Sequence, residues 1–257
     1  MRAIGWRRSA FLLAVLLTLG LASLFGGMVI VMNLQPGFMG MTHFAEEHHR
    51  VHDVTFALLN GTAVIGMLAQ LRAPARNMAG QLMALIPFAA LMLAVALTNT
   101  WVLSPPWLIV GASTVLTTMF HPAGDPLQWF RGARVDRVML ALVGAGAIPL
   151  VAFAWTNIGL QRAGPTDHAL AGHYGYMAAL TFTVIAVGLL ASARPRGWRP
   201  AAWVAGSLPI VLGVVSLLYP AADSRLEAMW AAIAIVWGIT FVAVAELRRR
   251  EGLTGGD

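Results

Sequence analysis

Residues 38 to 53, FMGMTHFAEEHHRVHD, gather four histidines (His43, His48, His49, His52), Glu46, Glu47, Arg50 and Asp53 into one short stretch. A second group, DHALAGHYG at 167 to 175, holds Asp167, His168 and His173. Neutral imidazole together with carboxylate is a donor set that suits zinc, iron or copper. On a helix, His48 and His52 lie four apart and His49 and His52 three apart, so each pair shares a face and can converge on one cation. Glu46 with His49, and His49 with Asp53, are at the same kind of spacing. That arrangement suits a carboxylate holding the second nitrogen of a ligating imidazole.

The second group behaves differently. His168 and His173 are five apart and point roughly 140° away from each other on a continuous helix. Both can serve one site only if the helix begins after His168. His173, between Gly172 and Gly175, is therefore the preferred ligand of the pair. The expected metal ligands are His48, His49, His52, His173 and His168, with Asp167 contributing and Asp53 or Glu47 as general base. Met39 and Met41 would add soft thioether donors and favour copper. The bland alternative is a solvated cap of polar groups on a helix end, with Met39 and Met41 as ordinary apolar loop residues.

The elements that must carry these residues are membrane helices. The chain has 257 residues, 58% of them apolar and 11% charged, against about a quarter charged in ordinary soluble proteins. Apolar runs near the ~20 residues a spanning helix requires occupy 9 to 32, 54 to 71, 78 to 98, 102 to 120, 138 to 156, 172 to 192, 200 to 219 and 228 to 246. The expected fold is all-α: a polytopic bundle of eight transmembrane helices forming a single membrane domain over 1 to 257. The first run is too long for the apolar region of a signal peptide and reads as an uncleaved helix. The fourth carries Ser104, Pro105 and Pro106, so it starts late or bends.

Arginine sets the orientation, because basic residues accumulate in short cytoplasmic loops. Of the 17 basic residues, all arginine, 14 fall at the N-terminus, in alternate loops and in the tail; Arg50, Arg162 and Arg225 are the exceptions. Both termini are then cytoplasmic and the histidine-rich stretch faces outward, in the cytoplasmic membrane of a bacterial type of cell. The net charge of +6 follows from this topology and implies no nucleic-acid partner. The partners expected are the lipid bilayer and other membrane proteins or further copies of the chain. A helix from 43 to 71, N-capped by Thr42, would be ~43 Å long and stand proud of a core of ~30 Å.

The halves also look related, as 1 to 121 and 137 to 246. Setting His52 over His173 aligns 52 to 74 with 173 to 195 at six identities in 23 positions, Thr62/Thr183 and Pro74/Pro195 among them. A four-plus-four duplication of this kind gives parallel halves about an axis along the membrane normal. It would place His52 and His173 in equivalent positions.

Glu46-Glu47-His48-His49-Arg50 is similar to the glutamate-x-x-histidine-arginine motif in the second helix of haem A synthases, which are also duplicated four-plus-four helix proteins. The resemblance covers five residues and an architecture. The fourth and eighth runs have no histidine, the sixth has His173-Tyr174 where the family has histidine-arginine, and there is no cysteine. What the resemblance implies here is one haem, or one metal, shared between His52 and His173.

Absences exclude other chemistry. Without cysteine there are no thiolate metal sites, iron–sulfur clusters or c-type haem attachment, and without lysine no retinal Schiff base. The tryptophans near span ends read as interfacial anchors. Three functions remain in view: a metal-dependent membrane enzyme, redox or hydrolytic; a transporter of metal or small solutes with the histidines as its mouth; and a structural subunit of a membrane complex. A transporter needs polar groups down to the midplane, and Asn60 with scattered threonines offers few.

Overall fold

The computed structural model describes residues 2–35, 49–100, 105–124, 130, 133–222 and 224–254, with the side chains of 2–4 and 251–254 left aside. Among the described residues the ordered elements are helices: α1 (Arg2–Leu34), α2 (Arg50–Arg72), α3 (Met78–Thr98), α4 (Pro105–Met119), α5 (Arg137–Arg162), α6 (Asp167–Leu170), α7 (His173–Ala193), α8 (Arg199–Leu218) and α9 (Ala228–Thr254). Seven of them are long and apolar enough to cross a membrane. The eighth expected span is α4, whose 15 residues reach ~22 Å, short of a hydrocarbon core. Its described part runs from Pro105, and prolines are tolerated in a first helical turn, where the missing backbone N–H costs nothing. The helix expected from residue 43 is described from Arg50 onward. Thr42, His43, Glu46, Glu47 and His48, with Met39 and Met41, lie outside the described residues.

Helix α7 forms the centre. Of its apolar stretch 72% is buried, against 22% for α5 and for α9, so the latter two turn most of their surface outward. α7 packs between α5 and α8 and touches α3 and α2; α1 and α4 lie against α2 and α3, and α9 against α8. Lipid supplies no hydrophobic push between helices, so close approach depends on small residues. A Cβ on Gly66 of α2 would lie 2.8 Å from that of Ala84 in α3, and one on Gly206 of α8 would lie 2.6 Å from the Gly238 carbonyl of α9. Larger side chains at either crossing would force the helices apart.

Polar side chains pin the end of the bundle opposite His52. Gln81 of α3 donates to Thr117 Oγ1 (2.6 Å) and Thr118 Oγ1 (2.8 Å) beside α4. Asp136 caps α5 by accepting from the Val138 and Met139 N–H groups and pairs with Arg194 at 3.4 Å. His121, buried just after α4, is held as one neutral tautomer. Its Nε2 meets Gln70 Oε1 at 3.1 Å, and its Nδ1 accepts from the Ala123 N–H at 3.1 Å. A proton on Nδ1 would break the second bond.

Desolvation by burial accordingly pushes the His121 pKa down to about 4, with a hydrogen bond to the Pro74 backbone opposing the shift. Between that value and the unfolded value near ~6.5 the unfolded chain binds the extra proton. Stability is therefore fully present above ~6.5 and falls as pH drops toward about 4, by up to ~1.4 kcal/mol per pH unit. Thermal unfolding in detergent across that window should show the loss in the wild type. His121→Gln, which keeps an Nε2 donor without a titrating ring, should flatten it relative to the wild type.

Candidate metal centre

His49 and His52 come from one helix end. His49 is the N-cap residue of α2, and His52, three positions on, shares its face. The two are buried, 8% and 1% exposed. Opposite them the chain interrupts itself. Thr166 caps α6 by accepting from the Ala169 N–H at 3.1 Å, α6 lasts one turn, and Gly172 adopts a left-handed φ of 76° before α7 starts afresh at His173. Glycine takes that conformation without the Cβ penalty that other residues meet.

The interruption meets the condition under which His168 and His173 can face one site. The 140° separation holds on a continuous helix, and here the helix restarts between the two. Gln161, at the end of α5, spans the break: its Nε2 donates to the Ala169 carbonyl at 2.6 Å and its Oε1 accepts from the Gly175 N–H at 3.0 Å. The Gly175 amide, at the start of α7, lacks an intrahelical partner, and the Ala169 carbonyl also accepts from the Gly172 N–H at 3.1 Å. With the break fixed, the rings of His168 and His173 sit 5.4 Å apart.

All four rings meet. His52 stacks on His173 with centroids 4.8 Å apart and 28° between planes, His49 lies 4.6 Å from His168 edge-on, and His52 is 5.0 Å from His168. One ligand nitrogen from each of His49, His52, His168 and His173 lies within 4.8 Å of the others. A tetrahedral zinc at ~2.0 to 2.1 Å from each nitrogen needs them ~3.3 Å apart, so shifts of about an ångström per ring would complete such a sphere. Tyr174 places its hydroxyl 3.4 Å from His168 Nδ1. Ser224, in the loop between α8 and α9, hydrogen-bonds His52 Nε2 through its Oγ.

The expected carboxylates do not join this group among the described residues. Asp53, one residue from His52, is buried in a separate network in which its Oδ2 accepts from Asn33 Nδ2 at 3.0 Å. Arg50 donates to the Asn33 carbonyl (2.7 Å) and Oδ1 (2.6 Å). Asp167 is exposed, while Glu47 and His48 are among the undescribed residues. Sequence reasoning missed Gln161, Ser224 and Tyr174. For Gln161 a signal existed: a glutamine closing a span just before Gly164-Pro165-Thr166, a turn followed by a cap.

No family model, curated protein or solved structure matches this chain. The chemistry therefore rests on the site itself. The chain is a bundle of membrane-length apolar helices with a histidine group that could hold a metal ion.

Gln161→Leu leaves the Gly175 amide buried without a partner, at ~1 to 3 kcal/mol, while the Ala169 carbonyl keeps its bond from the Gly172 N–H. The thermal midpoint in detergent should fall accordingly.

Proposed function

We propose that the chain is a multi-pass membrane protein whose His49, His52, His168 and His173 hold one divalent transition metal, and that this metal is the reacting centre of a membrane enzyme, redox or hydrolytic. The observation that carries the reading is the convergence of four imidazole nitrogens from two separate helix ends within 4.8 Å. Buried ionisable groups at membrane boundaries are costly and often functional. An all-imidazole set suits copper, zinc or iron; haem, with two axial ligands, would leave two of the four rings unexplained.

Ser224 supports the reading in a specific way. If it accepts from His52 Nε2–H, the ring's lone pair lies on Nδ1, which can then ligate; such outer partners orient metal-bound histidines and typically change affinity 10- to 100-fold. Asp53 is a general base only if substrate reaches its network with Asn33 and Arg50. A transport pathway is disfavoured by the threonines. Thr55, Thr62, Thr98, Thr114 and Thr183 each donate to a carbonyl of their own helix.

The orientation and the repeat belong to the same proposal. The arginine bias puts the histidines on the outer face of the cytoplasmic membrane. His121, following α4, bonds Gln70 near the far end of α2, which favours α4 as a short eighth crossing. Helix neighbours are mirrored between halves: α1 with α2 and α2 with α3, then α5 with α7 and α7 with α8, while α3 meets α7 as α8 meets α2. His52 stacked on His173 would then lie at the pseudo-two-fold axis.

Elemental analysis of detergent-purified protein should find close to one equivalent of copper, zinc or iron. His49→Ala and His168→Ala should each lower metal affinity at least tenfold, and Ser224→Ala by about tenfold. Wild type that stays metal-free after reconstitution with each ion ends this reading. The orientation is tested on the naturally cysteine-free chain. Ala163→Cys in intact cells should react with a membrane-impermeant maleimide, and Arg134→Cys should react only after lysis; the reverse pattern inverts the topology.

A further inference from the structure

Helices α5 and α9 touch where Trp237 Nε1 donates to the Leu142 carbonyl at 2.9 Å and its ring covers Gly146. From there toward the end of the bundle that carries the histidines they part, leaving a cleft of about 1060 Å³. α5 and α9 form its sides, Pro209 of α8 contributes to its lining, and residues 220 to 222 and 224 to 227 close its end, Ser224, Arg225 and Glu227 among them. From Gly146 to Leu160 the α5 wall runs ~21 Å, and Ile148, Trp230 and Ile233 on its sides are exposed. In a bilayer that exposed side faces lipid.

One group in the wall does not suit plain lipid. Asn157 lines the cleft and is 1% exposed; its Nδ2 donates to the Phe153 carbonyl at 3.0 Å, and its Oδ1 accepts from nothing among the described residues. A buried acceptor left unsatisfied in an apolar medium costs ~1 to 3 kcal/mol. Hydrocarbon chains cannot satisfy it, and a hydroxyl can. Ser224, which bonds His52, lines the same cleft, so the cleft that Asn157 lines also borders the histidine centre.

We propose that this cleft binds a long-chain lipid carrying a hydroxyl group, which enters sideways from the bilayer, donates its hydroxyl hydrogen to Asn157 Oδ1 and lays its chain between α5 and α9. This names a substrate class for the metal centre, and in that role it rests on the metal reading; the binding itself does not. Free long-chain alcohols and isoprenoid quinols share the required chemistry, an apolar chain ending in an O–H donor.

The test uses full-length protein in detergent with a chain-brominated hexadecanol, whose bromine quenches Trp230 and Trp237 on the cleft wall. Quenching should saturate, be displaced by unbrominated hexadecanol, and diminish in Trp230→Phe and Trp237→Phe. The methyl ether of the same chain, lacking the donor, should bind about tenfold more weakly. Asn157→Leu should weaken the alcohol to the level of the ether and leave the ether unchanged. Competition by a long-chain quinol against unbrominated hexadecanol distinguishes the two sources, the tighter competitor being the natural class. Equal binding of alcohol and ether by the wild type reduces the cleft to ordinary lipid contact and overturns the proposal. So does a stable dimer whose formation abolishes quenching. Repeating the titration on metal-stripped protein separates the two readings: quenching that survives in protein unable to bind metal leaves the cleft standing and removes only its link to catalysis.

Discussion

Inside a membrane a helix cannot stop without leaving amides and carbonyls that nothing else will satisfy, and the histidine group exists only because one helix does stop. Gln161 meets that constraint by bonding at once to the carbonyl that ends α6 and to an amide that begins α7. Gly172 supplies the turn in a conformation few other residues tolerate. The two together reset the helical phase between His168 and His173, so that rings which would diverge on an unbroken helix face the same partners. The position of α2 does the rest, since α7 is the most buried helix and presents its first turn to His52.

The spans were legible in the sequence because span length and apolarity are imposed by the bilayer; the bounds of α3 agree with the expected run, and α5, α7 and α8 start within a residue of theirs. The shortness of α4 was signalled by Pro105 and Pro106. The site was half legible. Residue types and the His49/His52 spacing pointed to it, but periodicity assumes one continuous helix, and that assumption separated His168 from His173. The punctuation that breaks the helix, Gly164-Pro165-Thr166 and Gly172, was present in the sequence. Which side Asp53 takes was not legible, because the pull of Asn33 and Arg50 depends on how α1 lies against α2.

Most buried polar groups in this bundle look inward to their own helix or to a neighbour. Threonines return their hydroxyls to carbonyls one turn back, and Gln81 ties α3 to Thr117 and Thr118. Such groups stiffen a bundle without forming a path through it. That distribution argues for chemistry done at one end of the protein over passage through it. Asn157 spends only its donor, within α5, and it does so on the wall of the cleft.

Four neutral imidazoles would leave the full charge of a divalent ion uncompensated in surroundings of low dielectric, where charge interactions are strong. An ion so held would be a strong Lewis acid, and with a fifth coordination position it could take an oxygen ligand able to surrender a proton. His49 and His52 are almost wholly covered, so an oxygen bound to such an ion would have to arrive along a particular route. Ser224 ties one of those rings to the wall of the cleft between α5 and α9. A route through that wall would select molecules with an apolar body and a single polar end, because an apolar wall disfavours strongly hydrated solutes. Selectivity in such an arrangement would come from the bilayer and the cleft, and reactivity from the metal.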